Sequence, residues 1–180
     1  MSSDKDYIQL VSDRVTVYSP VKKKFYTPKE VKEELKVPAI NYLNYKVLLG
    51  DPSDNVPGVR GLGPKGAVKL FPQLQEERKV ALKEIIDMSL DKADEKKAYQ
   101  SVYNYRNQLE INEKLMDLHN PNVPEEDIAV IEKVVADPSK TLNRQAFLEM
   151  YNEDNLGNSI PNTSMWLFDV FDYLKNIKNK

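Results

Sequence analysis

The 180-residue chain has no cysteine, a single histidine and a single tryptophan, and only six glycines. Without thiols it forms no disulfide and builds no thiolate metal site, which suits a reducing compartment. The lone histidine, His119, has no partner motif around it and reads as solvated or capping rather than as a general base. No apolar run approaches the ~20 residues that span a bilayer, and no charged-then-apolar leader precedes a small-residue cleavage site. These absences point to a cytoplasmic chain with no membrane partner. Charge of one sign does not prevail either. The 26 basic and 28 acidic side chains leave a net charge of −2, which argues against wholesale coating of nucleic acid. There is no internal repeat and no low-complexity tract.

What is present is a chain able to pack a core, with 41% hydrophobic and 30% charged residues, and one unusually informative run. Gly50-Asp51-Pro52-Ser53-Asp54-Asn55-Val56-Pro57-Gly58-Val59-Arg60-Gly61-Leu62-Gly63-Pro64-Lys65 joins two devices. In its first half Asp51 and Asp54 flank a turn-forming Pro-Ser, and their carboxylates converge if Pro52 starts a turn or the first turn of a helix. In its second half Gly58, Gly61 and Gly63 let the main chain approach a ligand closely. Pro64 then fits the first position of a helix, and Lys65 and Lys69 fall on one face of it. Between Pro57 and Leu70 the only charged residues are Arg60, Lys65 and Lys69. That is a basic spot suited to backbone phosphates, which position a duplex without reading its sequence.

A second acidic pair, Asp4 and Asp6, opens the chain. Either pair alone is ordinary turn, cap or surface chemistry. Four carboxylates drawn to one point repel unless a divalent cation neutralises them, and hard oxygen ligands favour Mg²⁺ or Mn²⁺. Two such ions lower the pKa of an attacking water and stabilise a departing oxygen in phosphodiester hydrolysis.

Periodicity and breakers give the elements. Val15–Tyr18 and Phe25–Tyr26 form a hairpin of strands, after a short apolar piece at Tyr7–Val11. Helices are expected from Pro28 and from Pro38 to Leu49, the latter with Ile40, Leu43, Val47 and Leu48 inward and Gly50 as its stop. Beyond the glycine-rich run the chain reads as entirely helical. Ala67, Leu70 and Phe71 share one face, Val80 to Leu90 mark a helix, and Tyr99 to Leu118 mark one long helix. Shorter helices follow at 125–136, 141–153 and 164–177, with loops at Asn120–Pro124 and Asp154–Pro161 and a frayed Lys-rich end. Asp91–Lys97 reads as a solvated helix start, and Trp166, Phe168, Phe171 and Tyr173 as core packing rather than base-stacking rings.

The Ser2–Leu10 segment and the Gly50–Lys65 run together resemble the 5′-nuclease, or flap endonuclease, family, over residues 2–70. The helical remainder resembles the C-terminal part of the bacteriophage RNase H type of 5′-nuclease more loosely. The resemblance implies an α/β remnant at 1–50 with an incomplete sheet and a β-hairpin. A helix–three-turn–helix (helix-hairpin-helix) DNA-binding region at 51–118 and a C-terminal helical region at 119–180 would follow. It implies that Asp4, Asp6, Asp51 and Asp54 hold two Mg²⁺ (or Mn²⁺) ions. Gly58, Arg60, Gly61, Gly63, Lys65 and Lys69 would grip duplex or branched DNA or an RNA–DNA hybrid, and the main-chain carbonyls of Val59 and Leu62 would hold a K⁺ ion. Members of that family carry a long N-terminal half with further carboxylates. The expectation is therefore a C-terminal nuclease portion with little activity alone, completed by that half. The rivals are a non-catalytic duplex-binding module and a lobe that docks on a single-strand-binding protein.

Overall fold

The computed structural model describes residues 1–136 and 143–177, with side chains up to 170. It divides into two compact units, Met1–Asn122 and Val123–Lys180. In the first, Asp4 caps a 3-10 turn at Lys5–Leu10. Strands β1 (Val17–Ser19) and β2 (Lys24–Tyr26) then pair antiparallel, with Val17 opposite Tyr26. Helix α1 (Pro28–Leu35) starts on proline, with the Glu30 carboxylate accepting the Thr27 amide at 3.3 Å, and stops where Lys36 turns left-handed at φ 63°.

A 3-10 turn at Ala39–Asn41 leads into α2 (Tyr42–Leu49). Two short strands, β3 (Gly50–Asp51) and β4 (Val56–Pro57), pair antiparallel around the 3-10 turn Pro52–Asp54. Helices α3 (Pro64–Leu70), α4 (Leu82–Asp91), α5 (Lys97–Asn104) and α6 (Arg106–Met116) complete the unit.

The core forms where α2 packs on α3 and α6 and where α4 packs on α5. Val47, Leu48, Phe71, Leu74, Val80, Ile85, Val102 and Leu109 lose all contact with solvent, and burial of such side chains is the main stabilising term. Two buried asparagines tie loops to this core. Asn41 Nδ2 donates to the Glu76 and Arg78 carbonyls at 3.0 and 2.9 Å, and its Oδ1 accepts from the Val80 amide at 2.8 Å. Asn112 Nδ2 donates to the carbonyls of Val47 and Pro57, at 3.3 and 2.8 Å. Each gives these backbone groups a buried side-chain partner.

The fold is mostly helical with small two-stranded sheets, as the sequence implies. Several local expectations are corrected. The apolar piece expected at Tyr7–Val11 belongs to the 3-10 turn Lys5–Leu10, which Asp4 caps. Within the first compact unit, Met1–Asn122, α2 packs on α3 and α6. The long helix expected over Tyr99–Leu118 breaks at Tyr105, which separates α5 from α6. Neither Gly nor Pro marks the break, so periodicity alone could not place it. Ile40 points outward, because it lies in the 3-10 turn rather than on α2. Val80 precedes α4, and the charged run Asp91–Lys97 is the connection between α4 and α5.

The second unit holds α7 (Glu125–Ala136), α8 (Arg144–Glu153) and α9 (Thr163–Ile177), close to the expected ranges. Trp166 stacks on Phe147 with centroids 5.4 Å apart and Leu167 is buried, whereas Phe168 faces solvent. The side chains of Phe171 and Tyr173 and the Lys-rich end at 178–180 lie outside the described residues. Among the described residues no helix is long and apolar enough to cross a membrane.

Candidate metal centre and nucleic-acid interface

Gly50, at φ 73°, turns the chain out of α2 and delivers Asp51 to the start of the 3-10 turn. Asp51 Oδ1 caps that turn, accepting the Ser53 amide at 2.9 Å and its hydroxyl at 2.5 Å. Asp54 ends the turn, and Asn55, left-handed at φ 57°, sends the chain back along β4. At the other end of the sequence Asp4 Oδ1 caps its own turn by accepting the Asp6 amide at 2.8 Å. The result is a cluster in which carboxylate oxygens of Asp6, Asp51 and Asp54 lie within 4.8 Å of one another. Asp4 is exposed and stands outside this trio.

Sequence reasoning missed Lys46. One turn before the end of α2, its ammonium pairs with Asp6 Oδ1 and lies 2.7 Å from Asp51 Oδ2. The side chains of Lys46, Asp6 and Asp51 are only 12%, 22% and 18% exposed, so this charge cluster is largely shielded from water. Lys46, then the Ser53 hydroxyl and amide, hold the Asp51 carboxyl down to about 2 against the opposing effect of burial. Tyr42, buried beside Asp51 and Asp4, is pushed up chiefly by burial and stays a neutral phenol. The signal available was a lysine spaced to the face of α2 that leads into Gly50-Asp51, but spacing alone does not show where a flexible stem ends.

Three clustered aspartates offer the hard oxygen ligands that suit a divalent cation. On an octahedral ion with bonds near 2.1 Å, neighbouring ligand oxygens lie about 3 Å apart and opposite ones about 4 Å apart, within side-chain movements of the present separation of under 4.8 Å.

Past β4 the chain makes the glycine-rich turn. The Val59 amide donates to the Leu48 carbonyl at 2.9 Å and the Leu62 amide to the Val59 carbonyl at 3.0 Å, closing a four-residue turn with Gly61 at φ 81°. Gly63 precedes α3, whose first residue is Pro64. A Cβ on Gly61 or Gly63 would meet nothing within 4 Å, so this part of the turn is open. Gly58 differs from them. It packs against the Leu49 carbonyl and serves internal close approach rather than an outward surface. Arg60, Lys65 and Lys69 are exposed, and no carboxylate among the described residues pairs with them. Val59 is buried and Leu62 half-buried, and of the two carbonyls expected to hold K⁺, that of Val59 already accepts the turn hydrogen bond. His119, exposed, sets its Nε2 3.3 Å from the Gln9 carbonyl and is not one of the clustered acidic ligands.

The profile of the family described as 5'-3' exonuclease, C-terminal SAM fold, matches residues 37–137. The chain belongs to that family. This exonuclease-family chain is 35% identical over 118 residues to DNA polymerase I of Bacillus subtilis, covering 63% of the chain and 13% of the polymerase. It is 40% identical over 70 residues to the 5'-3' exonuclease of Aquifex aeolicus, covering 39% of the chain and 24% of that protein. Among solved structures it is similar to the flap endonuclease of bacteriophage T5 in a pseudo-enzyme-product complex with DNA and metal ions. That match has 25% identity and a TM-score of 0.56, over 65% of this chain and 41% of the other. The 5'-3' exonuclease-family chain thus spans well under half of each of these relatives. What they share with it is the C-terminal portion of the nuclease.

Proposed function

We propose that this chain supplies the downstream share of a Mg²⁺- or Mn²⁺-dependent 5′-nuclease centre and holds the duplex beside it, acting at 5′ ends of branched or nicked DNA. The observation that carries the reading is the convergence of Asp6 with Asp51 and Asp54 across more than forty residues of sequence. Next to that trio in the chain stands an open glycine turn with basic side chains that pair with no carboxylate among the described residues. The flap endonuclease it resembles was solved with DNA and metal ions, which favours the same chemistry here.

Asp6, Asp51 and Asp54 would hold the metal, with Asp4 beside them as a further ligand through a change in its cap. The metal supplies activation of a water and stabilisation of the leaving oxygen on a phosphodiester. The chain's own residues do the rest. Asp51 stays ionised across the physiological range, and Ser53 fixes its carboxylate plane. Arg60, Lys65 and Lys69 dock the phosphates of one strand without reading sequence, and Val59 and Leu62 can offer carbonyls to K⁺. Three clustered carboxylates are few for two ions, so the centre is completed by further acidic residues from another nuclease portion.

The test is cleavage of a 5′-flap duplex and of an RNA–DNA hybrid by this chain, alone and mixed with the N-terminal nuclease portion of a relative, in Mg²⁺ and in chelator. Metal-dependent cutting by the mixture that Asp51→Asn with Asp54→Asn abolishes, while duplex affinity persists, supports the reading. A chain that binds duplex yet never contributes to cutting, and loses nothing through Asp51→Asn, is a binding module instead.

A further inference from the structure

Lys46 is the one element of the acidic centre that a metal site does not require. Its ammonium sits between two of the three carboxylates, 2.7 Å from Asp51 Oδ2 and paired with Asp6 Oδ1, and its stem is nearly sequestered at 12% exposure. Asp54 belongs to the same trio and has no such cation among the described residues. Asp6 comes from the first turn of the chain, Asp51 from β3 just past α2, and Lys46 from α2 itself. Lys46 is therefore the only cationic link among the described residues between the two stretches that build the centre. Two anionic side chains this close and this poorly hydrated repel unless a positive charge lies between them. The oxygens that accept from the ammonium are the same oxygens that a hard cation would take.

We propose that Lys46 is a built-in counter-cation of the centre. It holds Asp6 against Asp51 when no metal is present and competes with the divalent ion for their oxygens, so that loading requires its ammonium to swing aside. This rests on the metal-centre reading above and deepens it. Lys46 acts as a positioning residue. It assembles the trio before metal arrives, and it weakens metal binding by occupying the ligands. A four-carbon stem with three rotatable donors can make that exchange, whereas a fixed guanidinium fork makes it less readily. The free energy that holds the apo centre together and the affinity for the ion are thus coupled with opposite sign.

The test is Mn²⁺ binding followed by electron paramagnetic resonance, with thermal unfolding of the same full chains in chelator and in Mn²⁺. Lys46→Met, close in length but uncharged, is expected to bind Mn²⁺ at least about tenfold more tightly than the parent. It should also melt lower than the parent in chelator and gain more from Mn²⁺ than the parent does. Lys46→Arg keeps the charge and should bind no more tightly than the parent. Equal or weaker Mn²⁺ binding by Lys46→Met overturns the proposal. If Lys46→Met is unfolded in chelator, Mn²⁺-driven refolding upholds the competition and failure to refold overturns it. Asp51→Asn separates the two layers. If Mn²⁺ binding survives Asp51→Asn undiminished, the metal centre itself is misplaced. If Asp51→Asn abolishes binding while Lys46→Met leaves it unchanged, only the role of Lys46 falls.

Discussion

A Cβ on Gly58 would overlap the carbonyl group of Leu49. The two backbones are drawn together because the next residue, Val59, donates its amide to the Leu48 carbonyl at 2.9 Å. β4 is thereby closed onto the end of α2, and the turn that carries Asp51 and Asp54 is held between them. Gly58→Ala is expected to destabilise the chain by about 2–3 kcal/mol through this overlap, as overpacking of a fixed backbone does. Gly63→Ala, which meets open space, should stay within about 0.5 kcal/mol. Urea denaturation of both variants checks the contrast, and equal losses would show that the close approach carries no weight.

Asn112 does for the far side of the same turn what Val59 does for the near side. Its side-chain amide bridges the Val47 and Pro57 carbonyls from α6 and is fully buried. Asn112→Leu keeps the volume but leaves both carbonyls without their donor, an expected cost of about 2–3 kcal/mol. Because Pro57 ends the strand that follows Asp54, hydrogen exchange at the Val56 and Val59 amides should rise more than exchange in α5. A uniform rise across the unit would mean that Asn112 serves global packing only.

The pieces of this arrangement that rest on short-range chemistry could be read from the residues. Pro28, Gly50 and Pro64 punctuate helices where steric rules put them, and Asp51-Pro52-Ser53-Asp54 makes the turn that its residue types favour. What depends on tertiary contact was not legible. The joint at Tyr105 has no breaker residue, and Ile40 has an apolar side chain but an outward position. Asn41 and Asn112 look like surface polar residues until the carbonyls they satisfy are seen. The three clustered aspartates stand out by residue type and spacing, but the fourth expected member, Asp4, caps a turn instead, and Lys46 entered through an ion pair that no spacing rule announces.

The lowered pKa of Asp51 sets a pH window. Its carboxyl is held at about 2 in the fold against an ordinary value of 3.8. A depressed carboxyl stabilises the fold fully above the ordinary value and ceases to do so as pH falls towards the folded one. In chelator, the parent chain should therefore lose stability between about pH 4 and pH 2 through this group. Asp51→Asn should be less stable near neutral pH yet flatter across that window. Acid titrations of stability for the two chains decide it. Parallel curves below pH 4 would mean that the Lys46 and Ser53 contacts do not hold in solution.

Arg60, Lys65 and Lys69 are exposed and have no carboxylate partner among the described residues. If they dock duplex phosphates, each releases about one condensed counterion, so the slope of log K against log salt falls by roughly 0.9 for each residue removed. Lys65→Ala and Lys69→Ala, single and combined, should lower that slope additively and weaken every duplex sequence alike. Mn²⁺ binding should be untouched, since neither residue belongs to the acidic trio. Asp54→Asn is expected to do the reverse, reducing Mn²⁺ binding while leaving the salt slope as it was. Fluorescence anisotropy with a labelled duplex across a salt series, paired with the Mn²⁺ titration, reads both properties on the same variants. A salt slope unchanged in Lys65→Ala with Lys69→Ala would remove α3 from the duplex interface.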